Sequence, residues 1–166
     1  EDDVNLSAED LAKSAESKNR LLFTTDILQT PIHLSGLTKV HLQLASSKPA
    51  ANLSVYLVSL PWKDGKKIPI YENIITRGWA DPQNRESLAN STPLEPGTFY
   101  TVEFELQPDD QIIPAGQQIG LMIFSSDQDF TLHPEPGTVL SVDLSNSWIE
   151  IPVVGGASRF IPSQEK

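Results

Sequence analysis

The sequence predicts an all-β domain, a jelly-roll β-sandwich, on three observations. Apolar residues recur with period two, Pro and Gly separate the apolar runs, and no stretch alternates strand with helix as βα units do. About eight to ten short strands are expected, which suits a two-sheet jelly roll. A single closed barrel carries the same period, and pattern alone does not separate the two.

Each strand is read from its own alternation. Val40, Leu42 and Leu44 alternate with Lys39, His41 and Gln43, and Leu53, Val55 and Leu57 with Ser54, Tyr56 and Val58. Tyr100, Val102, Phe104 and Leu106 alternate with Phe99, Thr101, Glu103 and Glu105. Leu140, Val142 and Leu144, then Ile149, Ile151 and Val153, repeat the pattern. Strict alternation predicts one face on a core and one in water. Segment 119–124 (Ile-Gly-Leu-Met-Ile-Phe) is apolar on both faces, so it is expected as a central strand covered on both sides. Its Gly120 predicts a close approach or a bulge.

The 13 prolines stand above the roughly 5 % average and fall between the apolar runs. Pro96-Gly97, Pro114-Ala115-Gly116 and Pro136-Gly137 are turn chemistry. Proline gives no ladder hydrogen bond, so these positions bound strands. Asp109-Asp110 also reads as a turn, and 83–90 as one or two helical turns. Residues 1–19 are polar and acidic. Ser7 with Asp10 three positions on is an N-cap signal, predicting a short helix over about 8–17. Leu6 and Leu11 anchor little, so 1–19 is read as a linker or arm lying on something else, 20–156 as the sandwich and 157–166 as a tail. The chain begins Glu1-Asp2-Asp3, which reads as an excised fragment or processed product.

Composition excludes several function classes. The 166 residues carry a net charge of −10, which argues against nucleic acid or an anionic membrane as partner. No apolar run reaches the ~18 residues that span a bilayer, so a soluble chain is expected, cytoplasmic or secreted. There is no cysteine, hence no disulfide, no thiol nucleophile and no thiolate zinc site.

The search for catalytic machinery ends empty. The nearest approach to a G-x-S-x-G elbow is Gly156-Ala157-Ser158, but Arg159-Phe160 follow and no helix comes after. The three histidines, His33, His41 and His133, are never within four positions of one another, so no local metal pair exists. His41 reads as solvated on a polar strand face and His133 as a turn residue. Asp127 and Asp129, in the loop after the central strand, offer too few oxygens for calcium, and a polar turn is the more ordinary reading. Trp79 and Trp148 are expected in the core. No cofactor or metal is expected.

Several phrases occur in a telling order: Pro31-Ile-His-Leu-Ser-Gly36, Ile75-Thr-Arg-Gly-Trp79, Pro93-Leu-Glu-Pro-Gly97 into Tyr100-Thr-Val-Glu-Phe104, and Ile113-Pro-Ala-Gly116 into Ile119-Gly-Leu-Met-Ile-Phe-Ser-Ser126. This order resembles the C-terminal non-catalytic domain of Xaa-Pro dipeptidyl-peptidases and of cocaine-esterase-like serine hydrolases. The resemblance covers roughly 20–156. It implies a galactose-binding-like jelly roll that packs on an α/β-hydrolase domain and helps wall its active-site cleft, with oligomer contacts a further role. The catalytic triad would lie on that other domain, so no catalytic residue is carried over. Loops carry such contacts more often than strand interiors. Trp79 and Asp81, with Asp127, Asp129, Phe130 and His133, are therefore the expected domain-contact or cleft-facing residues. Two alternatives are a carbohydrate-binding module, which predicts Trp62 or Trp79 exposed on a flat face, and a calcium-dependent lectin.

Overall fold

The computed structural model describes residues 6–63, 73–133 and 136–160. One short helix, α1 (Ala8–Lys13), precedes ten strands: β1 (Arg20–Thr24), β2 (Ile32–Gly36), β3 (Lys39–Ser46), β4 (Leu53–Leu60), β5 (Ile74–Ala80), β6 (Tyr100–Glu105), β7 (Asp109–Ile113), β8 (Gln118–Phe124), β9 (Leu140–Val142) and β10 (Trp148–Glu150). They form an antiparallel β-sandwich. The first sheet has the order β1-β8-β4-β5. The second has the order β10-β3-β6, with β9 also paired to β3, and β2 and β7 make a separate ladder. Non-consecutive neighbours such as β4 and β8 make these crossovers, not hairpins.

The period-two residues fill the space between the sheets. Val40, Leu42 and Leu44 of β3 and Val102 of β6 meet Leu53, Val55 and Leu57 of β4 and Ile119 and Ile123 of β8. Each such side chain contributes about 1.5–3 kcal/mol on burial. The expected turns form: Gly97, Gly116 and Gly137 take φ of +79°, +83° and +80°, a left-handed backbone that favours glycine. Segment 119–124 is central, and Gly120 marks a close approach without a register shift. A Cβ there would sit 2.9 Å from Val58 Cγ2 and 3.2 Å from Leu22 Cδ1.

Four expectations are corrected. First, β4 has no wet face: all eight residues are buried. Its alternate residues, Tyr56, Val58 and Leu60, join Met122 and Phe124 of β8 in a second apolar cluster on the outer side of the sheet. Ala8, Leu11 and Ala12 of α1 cover that cluster. The helix is shorter than predicted because Ser14 leaves the helical region and turns its hydroxyl back to the Asp10 carbonyl at 2.8 Å. A capping box starts it: Ser7 Oγ accepts from Asp10 N–H at 3.2 Å, and Asp10 Oδ2 accepts from Ser7 N–H at 3.1 Å. Arg20 then reaches back from β1, donating from Nε to the Leu11 carbonyl at 2.6 Å and from its terminal nitrogen to that of Ser14.

Second, Asp109-Asp110 is no turn. It opens β7, paired with Gly36 and Ser35. Third, the 149–153 alternation yields a strand only to Glu150, with a single bridge from Val153 to Leu34. Pro152, lacking an N–H, interrupts the ladder. Fourth, Trp148 is not in the core. It is 52 % exposed and stacks on His41, ring centroids 5.0 Å apart. His41 is correspondingly half-buried, its Nδ1 2.7 Å from Glu103 Oε1. Residues 83–90 give one 3-10 turn, Pro82–Asn84.

Candidate functional site

Strand register brings the expected contact residues to one end of the sandwich. Leu53 at the start of β4 pairs with Ala80 at the end of β5, and Ser54 pairs with Phe124 at the end of β8. The loops after β5 and β8 therefore emerge together, beside the one before β4. They carry Asp81, Asp127, Asp129, Phe130 and His133, and Trp79 stands at the end of β5 beside them.

Asp127 organises this end from within. It was expected at the surface, yet its exposure is 0 %. Its Oδ2 accepts hydrogen bonds from the Tyr56 hydroxyl and, at 2.9 Å, from Trp79 Nε1–H. Its Oδ1 accepts the Asp129 N–H at 3.2 Å. A buried carboxylate is tolerated only when donors replace its water, and three do so here. Burial first, and then the neighbouring Asp127, holds the Tyr56 phenol far above its ordinary range, so Tyr56 stays protonated and donates. The backbone of Asp127 is tied as well: its N–H donates to Thr131 Oγ1 at 2.9 Å and its carbonyl accepts the Thr131 N–H at 3.0 Å. Ser54 Oγ donates to the Ser125 carbonyl at 2.8 Å, fastening the loop to β4. With its oxygens facing donors, Asp127 is a poor ligand for a cation.

Sequence reasoning missed Arg77. Its guanidinium carbon lies 4.1 Å from the Phe130 ring centroid and 5.3 Å from that of Trp79. The Trp79 and Phe130 rings are themselves 5.4 Å apart. Arg77 thus bridges β5 and the loop by cation–π contact. The signal lay in the Ile75-Thr-Arg-Gly-Trp79 phrase, where Arg77 and Trp79 share a strand face. Phe130 remains 53 % exposed, and Leu132 beyond it 89 %. Leu88, in the loop after β5, is 96 % exposed. Asp81 and Asp129 are exposed. Asp81 caps the 3-10 turn, its Oδ1 accepting from Gln83 N–H at 3.3 Å. His133 is exposed beside Leu132, whose carbonyl accepts from Asn52 Nδ2.

The remaining candidates lie apart. Trp62 is half-buried against the second cluster, as Trp79 is. Ser158 is exposed and makes no side-chain hydrogen bond among the described residues. No group of three or more His, Asp or Glu that could hold a metal ion occurs among them. No helix among them is long and apolar enough to cross a membrane.

Comparison with known proteins fits this arrangement. The family described as X-Pro dipeptidyl-peptidase C-terminal non-catalytic domain matches residues 1–160. A putative Xaa-Pro dipeptidyl-peptidase of Rhodopirellula baltica is 57 % identical over 155 residues, covering 93 % of this chain and 25 % of that protein. The chain therefore spans about a quarter of that relative's length. An α-amino acid ester hydrolase of known structure superposes with a TM-score of 0.66 at 22 % identity, over 82 % of this chain and 26 % of that one. A CocE/NonD family hydrolase from Staphylococcus aureus does so with a TM-score of 0.61 at 16 % identity, over 81 % and 30 %. These two likenesses show the fold.

Proposed function

The chain belongs to the family of X-Pro dipeptidyl-peptidase C-terminal non-catalytic domains, and from that premise we propose that it is the accessory domain of an Xaa-Pro dipeptidyl-peptidase. In this reading it packs on an α/β-hydrolase domain and helps shape the cleft where a dipeptide is cut from a peptide N-terminus. Residues 1–19 lead in from that domain and lay their helix on the sandwich.

The observation that carries the reading is the family match across 1–160, together with a loop end whose buried carboxylate, Asp127, is taken up by Tyr56, Trp79 and the Asp129 N–H. The loop end supports the choice of contact surface. Asp127 fixes the loop from below, and Phe130 and Leu132 stand out from it. Large apolar side chains grouped at an exposed loop end mark an interaction site more often than isolated ones do. Trp79, Asp81, Asp129, Phe130 and His133 are the contact or cleft-facing residues, and Asp127 is a positioning residue beneath them.

The test uses the full-length parent enzyme and a chromogenic Gly-Pro or Ala-Pro substrate. Phe130→Asp combined with Leu132→Asp is expected to lower kcat/KM at least tenfold while the sandwich still melts cooperatively. Unchanged kinetics in the folded double variant would remove this end from the contact. The 166-residue chain alone is expected to give no turnover. Turnover that survives Ser158→Ala and replacement of each histidine would overturn the non-catalytic assignment.

A further inference from the structure

The flank of the sandwich between β1 and β9 is open. Two cavities lie there in succession, of about 300 Å³ and about 250 Å³. Both are lined by Ile123, and each takes its walls from the same strands and the chain just beyond them. Leu21, Leu140 and Val142 line the first, and Phe23, Leu144 and Trp148 the second. Together they make one apolar trough whose floor in the second cavity, Leu42 and Val55, is the main core itself. The five residues of β1 set its length at roughly 16 Å. Ligand sites are concave, mostly apolar and fitted with a few polar groups at fixed places.

The polar groups of the trough gather at one end; the second cavity adds only Ser147, whose hydroxyl already donates to the Asp143 carbonyl at 2.6 Å. Ser125 lines the first cavity and is 7 % exposed, and its buried hydroxyl has no hydrogen-bond partner among the described residues. Buried hydroxyls are normally satisfied, so this one calls for an acceptor. Lys18 and Arg20 line the same end, which places two cations there on a chain of net charge −10. In the second cavity the lining includes the aromatic rings of Phe23 and Trp148. An apolar channel with a hydroxyl donor and positive charge at one mouth is complementary to a single-chain amphiphile with an anionic head.

We propose that this trough binds a medium-chain carboxylate, its chain along β1 and β9 and its head accepting from Ser125 at the Lys18–Arg20 end. The head end of the trough borders the loop after β8, which Ser125 opens, while the ligand's chain runs away from that loop along β1; binding is read directly, so its failure is distinct from a failure of the proposed domain contact.

The test titrates the 166-residue chain with sodium decanoate below its micelle-forming concentration, following heat and methyl NMR shifts. Saturable one-to-one binding with shifts at Leu21, Ile123 and Leu140 is expected. Ser125→Ala should weaken it about tenfold, the usual size of a hydrogen bond to a charged group. Leu140→Trp and Val142→Phe each fill the trough, and whichever of them melts like the parent should bind no decanoate. Three results would each overturn the proposal: no saturation, decyltrimethylammonium binding as tightly as decanoate, or Ser125→Ala binding unchanged.

Discussion

The two outer faces of the sandwich follow the same sequence rule and meet opposite fates. On the second sheet the residues alternating with the core are Lys39, His41 and Gln43 of β3 and Thr101, Glu103 and Glu105 of β6. They pair across strands, as Gln43 Nε2 does with Thr101 Oγ1 at 2.6 Å, and stay in contact with water. On the first sheet the corresponding residues are Tyr56, Val58, Met122 and Phe124, and that face is sealed by α1 and the Asp127 loop. A period of two therefore establishes a strand, and the chemistry of its alternate residues decides whether the second face is wet. Where those residues are apolar, another segment of chain must cover them.

Removing the cover is the most severe way to break this contrast. A chain beginning at Arg20 loses α1 and re-exposes four large side chains, each worth about 1.5–3 kcal/mol, against a total domain stability of about 5–15 kcal/mol. Loss of a cooperative thermal transition, with dye binding to the bared sheet, is the expected outcome by circular dichroism and fluorescence. A transition unchanged from the parent would show that α1 contributes nothing.

Asp127→Ala should come next. It strands the buried Tyr56 hydroxyl and Trp79 N–H, at a combined cost of about 2–5 kcal/mol, and hydrogen exchange in 127–131 should quicken before the strands are affected. Gly120→Val tests the fit under the helix. Its Cβ would meet Val58 Cγ2 at 2.9 Å, and overpacking of this kind costs about 1–3 kcal/mol by chemical denaturation. On the open face, His41→Ala should change stability by no more than about 0.5 kcal/mol, although it removes both a ring stack and the contact with Glu103. A loss comparable to that of Gly120→Val would mean the two faces are not so different.

The smallest effect is a pH dependence of the cover alone. Hydrogen bonds from the Ser7 hydroxyl and N–H hold the Asp10 carboxyl below its ordinary value of 3.8. A depressed folded pKa adds stability above the unfolded value, and that contribution is lost as pH falls through the folded pKa. Amide protection in α1 should therefore drop below about pH 4, and Asp10→Asn should flatten that step without touching exchange in β3 or β6.

Much of the sandwich was legible in the sequence because alternation and turn residues are local signals. Val102, Leu42 and Ile123 sit where their spacing puts them, and Gly120 makes the close approach its place in an apolar run implied. What escaped was long-range. Alternation predicts the Ser54, Tyr56 and Val58 face of β4 in water, yet only the serine is strongly polar, and that face is covered. The Ser7–Asp10 box announced a helix, but nothing local says which surface receives it. Asp109-Asp110 looks like a turn and becomes strand through pairing with β2. Asp127 was legible as an acidic loop residue. Its burial was not, because its donors stand 71 and 48 positions away, on Tyr56 and Trp79. Trp148 was misplaced because its strand lies at a sheet edge, where a large ring is free to lean over a neighbour.

The seat of α1 has a consequence for synthesis. Within this domain the helix is made before every strand, while Met122 and Phe124 arrive only after most of the strands have been made. Until β8 slots between β1 and β4, Leu11 has no place to go, and Tyr56 waits uncovered beside it. The sandwich is thus a fold that closes late, since long-range pairing of this kind is slow, and its exposure to chaperones or to sticky neighbours is concentrated in that interval.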